Sequence, residues 1–85
     1  MTHELKTFDE YMVDIASGKK TFEVRKNDRV FNEGDSLVLF GINSTTKEIT
    51  GKIIHANITY ILHGGQFGLE DGYCVMAIKV TDYNF

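Results

Sequence analysis

Residues 18–29, GKKTFEVRKNDR, hold the side chains of this chain that are best suited to binding an anion. The stretch contains five of the nine lysines and arginines, although the whole chain has a formal net charge of −3. In a β-strand Thr21, Glu23 and Arg25 would share one face, with neighbours about 7 Å apart. One interpretation is an exposed ion pair, which would stabilise the fold by less than about 1 kcal/mol. The other is the polar floor of a cleft, with Lys20 at its rim.

The position of Lys20 decides whether these side chains can meet. In a regular strand Lys20 and Glu23 have opposite parity and face opposite sides. They converge only if Lys20 belongs to a turn that precedes the strand. Gly18 permits such a turn, because glycine adopts positive φ without strain.

A second candidate lies in residues 63–75, HGGQFGLEDGYCV, where four glycines occur within ten positions. Glycines free the backbone for tight turns or for close approach of a ligand. Phe67 and Tyr73 offer flat surfaces on which a base could stack, and Glu70 adds a carboxylate. The alternative is a glycine-rich connection packed by Phe67 and Leu69. The chain lacks the Gly-x-x-x-x-Gly-Lys-Ser/Thr pattern, which excludes a P-loop for nucleoside triphosphates.

Metal ligands and nucleophiles give no recognisable spacing. The three histidines and the single cysteine are scattered and match no Cys-x-x-Cys or His-Glu-x-x-His pattern. Cys74, between Tyr73 and Val75, is typical of a small buried hydrophobe. We therefore expect no metal and no cofactor.

Composition favours a cytoplasmic protein that does not enter a membrane. One cysteine cannot form an internal disulfide, whereas small secreted domains usually carry several. The sequence contains no run of about 18 apolar residues. It shows no basic segment followed by an apolar leader.

One helix is predicted near the start of the chain. Thr7 and Glu10 form a capping-box pattern, and Phe8, Met12 and Ile15 recur at helical spacing. Gly18 supplies a left-handed cap, so the predicted helix covers residues 8–17.

From Thr21 the hydrophobic period changes to two, which predicts strands. Strands are expected from Thr21, at 36–40, at 48–62 with bends at Gly51 and at residues 56–57, and at 73–80. The whole of residues 1–85 is thus predicted to be a single domain, mainly β with one or two short helices (α+β). A small closed or nearly closed barrel is favoured, and an open curved sheet is the alternative.

The segment GKKTFEVR resembles the Gly-x-Lys-x-x-Glu-x-Arg signature of ASCH domains, a branch of the PUA-like barrels. The likeness extends over nearly the whole chain, to a compact bacterial and phage ASCH-related family without an assigned function. It implies a small β-barrel with a helix beside a cleft, and a role in RNA binding. The segments that carry it are HELK at 3–6, residues 10–39, ITYILHGG at 58–65 and FGLEDGYCVMAI at 67–78.

The resemblance implies roles for particular residues. The signature lysine, glutamate and arginine fall on Lys20, Glu23 and Arg25. A binding module for RNA or a modified nucleotide, compatible with a monomer, is the favoured function. In it Glu23 would orient Arg25 or accept from a base amino group. The residues expected to contact phosphate or base are Lys20, Thr21, Arg25, Lys26 and Arg29, with Phe67 or Tyr73 stacking on a base.

Two other functions are open. One ASCH branch is an amidohydrolase that removes the acyl group from N4-acetylcytidine with a lysine, a threonine and a glutamate. The lysine corresponds to Lys20, the threonine position holds Glu23, and the distal glutamate matches Glu70 only loosely. Replacing that hydroxyl with a carboxylate breaks any mechanism in which the threonine is the nucleophile. Chemistry could survive if a partly buried Lys20 served as a base and a carboxylate oriented water at an amide. Glu23 beside Lys20 would oppose that role by favouring the charged ammonium. The third possibility is a protein-interaction accessory domain, which predicts a sizeable apolar surface patch.

Overall fold

The computed structural model describes residues 1–85 as five strands and one helix. The predicted mainly β fold with a short helix is confirmed. In chain order the elements are β1 (Thr2–Phe8), α1 (Asp9–Ala16), β2 (Phe22–Lys26), β3 (Ser36–Ile42), β4 (Ile49–His63) and β5 (Tyr73–Asn84).

All five strands form one sheet in the order β1-β3-β4-β5-β2. β1 pairs with β3 in parallel, and every other neighbouring pair is antiparallel. β1 and β2 stand at the two ends of this order and are therefore the edge strands. The sheet curls into a half-barrel. The barrel therefore does not close through backbone pairing, and the gap between β1 and β2 is where the candidate site lies.

Irregularities in β4 bend the sheet. The register with β5 shifts between His55 and Ala56 and again between Ile58 and Tyr60. Gly51 has φ of 91°, a value that glycine adopts without strain. The bends expected at Gly51 and at residue 56 thus coincide with real irregularities, and such bulges let a long strand turn a corner.

α1 covers the apolar interior of the curled sheet. Met12 and Ile15 on its inner face are fully buried. Gly18 has φ of 82° and donates its backbone N–H to the Ile15 carbonyl at 3.1 Å, so the predicted glycine cap is confirmed. The helix packs against a core formed by Leu5, Phe31, Leu37, Leu39, Ile54, Ala56, Ile58, Ile61, Cys74, Met76 and Ile78.

The N-terminal end of the helix differs from the prediction. The residue before the first turn is Phe8, and no side chain caps the helix. Thr7 instead belongs to β1, and its hydroxyl accepts a hydrogen bond from Arg25 at 2.9 Å. The capping-box prediction for Thr7 and Glu10 is therefore wrong, because tertiary contacts in the sheet take the Thr7 hydroxyl.

No helix of the protein has the length and the apolar character needed to cross a membrane.

Candidate functional site

A groove runs between the two edge strands of the half-barrel. Its volume is about 530 Å³, within the usual range for small-molecule sites. It is lined by Lys6, Thr7 and Phe8 of β1, Tyr11 of α1, Lys20 of the turn, and Phe22, Glu23, Val24 and Arg25 of β2.

The β2 wall of the groove presents backbone groups that have no strand partner. Thr21 accepts from the Ile78 N–H at 3.0 Å, and Asn27 donates to the Gly72 carbonyl at 2.8 Å, so odd-numbered residues of this segment face β5. Backbone polar groups alternate in direction along an antiparallel strand. The N–H and C=O of Phe22, Val24 and Lys26 therefore point away from β5, into the gap.

The β1 wall, on the other side of the groove, also presents backbone groups that have no strand partner. Ser36 donates its N–H to the Met1 carbonyl at 3.0 Å, which places odd-numbered residues of β1 in the ladder with β3. The backbone groups of Glu4, Lys6 and Phe8 consequently face the gap. Two strand edges thus confront each other across the groove, each with a row of hydrogen-bonding groups.

The floor of the groove is a buried carboxylate held by two cations. Glu23 is only 3% exposed. Its Oε1 accepts from Lys20 Nζ at 2.9 Å and its Oε2 from Arg25 Nε at 2.9 Å. A buried carboxylate needs such partners, because desolvating an unpaired charge is costly. The cleft-floor interpretation of this segment matches this arrangement.

Arg25 extends from β2 to β1. Its Nη2 donates to the Lys6 carbonyl at 2.8 Å and to the Thr7 hydroxyl at 2.9 Å. Because Nε and both Nη2 hydrogens are occupied, the guanidinium is fixed in one orientation, and the two Nη1 hydrogens have no protein partner. Arg25, which lines the groove, thus carries a pre-oriented pair of free donors.

Lys20 reaches the floor from the turn, as the sequence required. Its backbone N–H donates to the Asp14 carbonyl at 2.9 Å, which ties the turn to the end of α1. Its ammonium also donates to the Phe22 carbonyl at 2.9 Å. It lies 5.2 Å from the Tyr11 ring centroid and 5.0 Å from the Phe22 ring centroid, within range of cation–π attraction.

The walls of the groove are apolar and largely open to solvent. Phe8, Tyr11, Phe22 and Val24 are exposed by 37%, 45%, 44% and 48%. The Phe8 and Tyr11 rings lie near parallel, with centroids 6.3 Å apart. The groove therefore combines flat apolar walls with a charged, hydrogen-bonding floor.

A second, smaller hollow adjoins the groove and shares Arg25 with it. Its volume is about 170 Å³. Arg29 beside it donates from Nη1 to the Glu4 carbonyl at 2.6 Å, so Arg25 and Arg29 together cover two carbonyls of the β1 edge. The hollow is lined by Leu5, Arg25, Lys26, Asp28, Arg29 and Phe31.

Charge is separated between these hollows and the rest of the protein. Five basic and two acidic side chains line the two hollows, a net charge of +3. The remaining residues carry four basic and ten acidic side chains, a net charge of −6. A positive surface region on an acidic domain concentrates attraction for anions at one place.

Four residues proposed from the sequence do not line either hollow. Thr21 lies on the ladder with β5, where its carbonyl is paired. Phe67 and Glu70 belong to the β4–β5 connection, and Tyr73 is the first residue of β5, where it pairs with Lys26 at the far end of β2. Lys20 precedes the other end of β2, six residues or about 20 Å away along an extended chain. Glu70 is thus separated from Lys20 and Glu23, and Phe67 and Tyr73 are separated from the aromatic walls.

Side chains from β1 and α1 complete the groove, and they were not predicted from the sequence to belong to a site. They are Lys6, Thr7, Phe8 and Tyr11. The sequence signal for β1 was the alternation of side chains in residues 2–8, whose inward-facing positions are His3, Leu5 and Thr7. Two of those three inward side chains are polar, so hydrophobic periodicity alone does not reveal the strand.

The pKa values of three side chains away from the groove are shifted. Burial raises the pKa of the Cys74 thiol, which agrees with its interpretation as a core residue. Hydrogen bonds from Lys52 and Thr50 lower the pKa of Asp9, and a hydrogen bond from His3 lowers that of Asp35. No group of three or more His, Cys, Asp or Glu side chains is arranged to hold a metal ion.

Comparison with known proteins identifies a family but no activity. Residues 2–78 match the model of a family described as a domain of unknown function, DUF3850. No curated protein matches the chain.

Proposed function

The chain belongs to the DUF3850 family, and we propose that it is a binding module for single-stranded RNA or a nucleotide. In this proposal one base enters the groove between β1 and β2. The observation that carries the proposal is the pairing of flat apolar walls with a positively charged floor in an otherwise acidic protein.

The walls suit a base. Phe8, Tyr11 and Phe22 present ring surfaces, and stacking of a base on an aromatic side chain contributes about 1–3 kcal/mol. The backbone N–H and C=O of Val24 at the strand edge supply a donor and an acceptor side by side. A base edge that carries an acceptor next to a donor can pair with both groups at once.

The floor suits an anionic ligand without attracting polyanions indiscriminately. Lys6, Lys20 and Arg25 outnumber the single acidic lining residue, Glu23. Because Glu23 already accepts from both Lys20 and Arg25, its role in binding is to orient those cations. The negative charge over the rest of the surface limits non-specific binding to nucleic acid.

The likeness of GKKTFEVR to the ASCH signature supports the same proposal. The signature positions Lys20, Glu23 and Arg25 are the three side chains joined by hydrogen bonds in the groove floor. In ASCH and PUA-like domains a cleft beside the barrel is associated with RNA. A hydrolase is less well supported, because Glu70 does not line the groove and Glu23 replaces the hydroxyl of the acylcytidine hydrolases.

The proposal is tested by a nuclear magnetic resonance titration of isotope-labelled protein with a short single-stranded RNA, then cytidine, then N4-acetylcytidine. We expect amide shifts in residues 6–8, 11 and 20–25, and not in residues 63–72. RNA affinity should fall with salt, with a logarithmic slope of about −0.7 for each phosphate contacted. The absence of shifts in the groove with all three ligands would reject the proposal, and hydrolysis of N4-acetylcytidine would establish the enzyme instead.

A pair of variants localises the binding. Phe22→Ala removes a ring from the groove wall, and we expect RNA to bind about tenfold more weakly, the lower part of the range for a stacked base. Tyr60→Ala is the matched control, because Tyr60 is an exposed aromatic residue, 59% accessible, that does not line the groove. Equal effects of the two variants would place binding elsewhere on the protein.

A further inference from the structure

We infer that the small hollow beside the groove is a phosphate subsite, so that the ligand is a phosphorylated nucleotide unit lying across both hollows. This inference rests on the proposed function and specifies its ligand. The base would occupy the larger groove, and the phosphate attached to its sugar would occupy the hollow between Arg25, Lys26 and Arg29.

Size and lining distinguish the two hollows. The larger groove measures about 530 Å³ and has aromatic walls on both sides. The smaller hollow measures about 170 Å³ and is lined by three basic residues, one acidic residue and two apolar ones. A compact anion suits the second hollow better than a planar ring does. Arg25 lines both, so groups bound in the two hollows would be neighbours.

The basic residues that line the small hollow have uncommitted hydrogen-bond donors. Arg25 retains the two hydrogens of Nη1, and Arg29 uses only one of its five donors, for the Glu4 carbonyl. Lys26 makes no side-chain hydrogen bond or ion pair, and its backbone N–H faces the open edge of β2. Arginine forks and free N–H groups are the donors that phosphate oxygens accept.

The arginines are held in place before any ligand arrives. The carbonyls of Glu4 and Lys6 fix Arg29 and Arg25 at 2.6 Å and 2.8 Å. A pre-oriented donor loses less conformational freedom on binding, which strengthens affinity. Asp28 is the one acidic residue of the hollow, and it forms no ion pair with the basic residues there. Lys26 and Arg29 therefore carry charge without a paired carboxylate, whereas Arg25 is paired with Glu23.

Hydrogen bonding to the β1 edge gives Arg25 and Arg29 a structural role in the fold, but it gives none to Lys26. Both arginines donate to carbonyls of an edge strand, which by itself stabilises the fold. Lys26 contacts none of those carbonyls, yet it lines the same hollow. Its contribution to binding can therefore be measured without disturbing the hydrogen bonds to the β1 edge.

The test compares cytidine with cytidine 5′-monophosphate and cytidine 3′-monophosphate by isothermal titration calorimetry at low salt. At least one monophosphate should bind the wild-type protein about tenfold more tightly than cytidine, a difference of about 1.4 kcal/mol. In Lys26→Ala that advantage should fall at least threefold while cytidine affinity stays unchanged. Lys79→Ala removes an equal charge from an exposed position on β5 outside both hollows, and it should leave the advantage intact.

Each outcome has a definite meaning. If both monophosphates bind no more tightly than cytidine, the phosphate subsite is refuted while the base site stands. If Lys26→Ala weakens cytidine and the monophosphates equally, or acts no more strongly than Lys79→Ala, the subsite is likewise refuted. If neither cytidine nor a monophosphate binds and RNA gives no shifts in the groove, the proposed function fails, and the subsite fails with it.

Discussion

The guanidinium of Arg25 donates a 2.8 Å hydrogen bond to the backbone carbonyl of Lys6, and this contact joins two strands that no backbone ladder connects. Arg25 lies on β2 and Lys6 on β1, at opposite ends of the sheet order. The half-barrel is therefore closed at this point by a side chain. The same residue lines the proposed binding groove, which makes Arg25 informative to change.

Replacing Arg25 with lysine should destabilise the protein although the charge is kept. A single ammonium cannot reach Glu23, the Lys6 carbonyl and the Thr7 hydroxyl together, as the planar fork does. We expect the free energy of unfolding in urea to fall by about 1–3 kcal/mol, the effect of leaving partly buried acceptors unpaired. Arg29→Lys, at an exposed position with one such bond, should have a smaller effect. Equal urea midpoints for wild type and Arg25→Lys would contradict the closure role.

Glu23→Gln should lower the free energy of unfolding more than Arg25→Lys does. The change removes the buried carboxylate and leaves Lys20 and Arg25 without their shared counter-ion. Loss of one partner from a buried ion pair typically costs about 3–5 kcal/mol, and we expect about 3 kcal/mol because the amide retains one acceptor. Chemical denaturation measures the loss, and Glu48→Gln, at an exposed position, is the control. A variant as stable as wild type would mean that the carboxylate is not needed to hold the two cations.

Asp35 should make the stability of the fold depend on pH in the acidic range. His3 Nε2 lies 2.8 Å from Asp35 Oδ2, and this hydrogen bond is the main reason that the pKa of Asp35 falls below its ordinary value of 3.8. Since the folded state has the lower pKa, the carboxylate stabilises the fold above pH 3.8. That contribution is lost as the pH falls through the folded-state value.

The measurement is the unfolding free energy of wild type and Asp35→Asn across this range. The destabilisation caused by Asp35→Asn should be largest near neutral pH and should shrink as the pH drops below about 4. Asp71→Asn, at an exposed position, should show no such trend. A destabilisation that is constant with pH would show that the Asp35 charge does not contribute.

Gly64→Ala should destabilise the β4–β5 connection. A Cβ at this position would collide with the Glu70 carbonyl and would lie 2.7 Å from the Tyr73 carbonyl oxygen. Overpacking of this kind costs about 1–3 kcal/mol, which thermal unfolding detects. Phe67→Ala in the same connection should change stability little, because Phe67 is 87% exposed. Unchanged stability in Gly64→Ala would show that the two carbonyls can move apart.

Local patterns in the sequence predicted the helix, four of the strands and the core of the site. Gly18 indicated the turn that brings Lys20 to Glu23, and the two-residue period placed Glu23 and Arg25 on one face. Both are short-range effects, set by φ preferences and by the geometry of an extended chain. Phe22 and Val24 are largely exposed while Glu23 between them is buried, which agrees with a period of two along this strand.

Long-range pairing accounts for what the sequence did not predict. β1 joins the sheet only through β3, with Thr2 aligned to Ser36, and no local signal encodes that partnership. Thr7 was predicted to cap the helix because its hydroxyl suits that role. The hydroxyl instead accepts a hydrogen bond from Arg25, eighteen residues away in the sequence. The glycine-rich connection contains aromatic and acidic residues of the types found in binding sites. It nevertheless lies at the opposite end of β2 from Lys20. Such distances depend on the assembled sheet.

The hydrogen bonds from Arg25 and Arg29 to the carbonyls of β1 also bear on self-association. An open strand edge is a template on which a strand of another molecule can add, the first step toward aggregation. Here two cationic side chains occupy carbonyls of that edge, at Lys6 and Glu4. An incoming strand would have to displace both arginines and bury their charge. The two arginines thus make the β1 edge a poorer template for strand addition than an open edge would be.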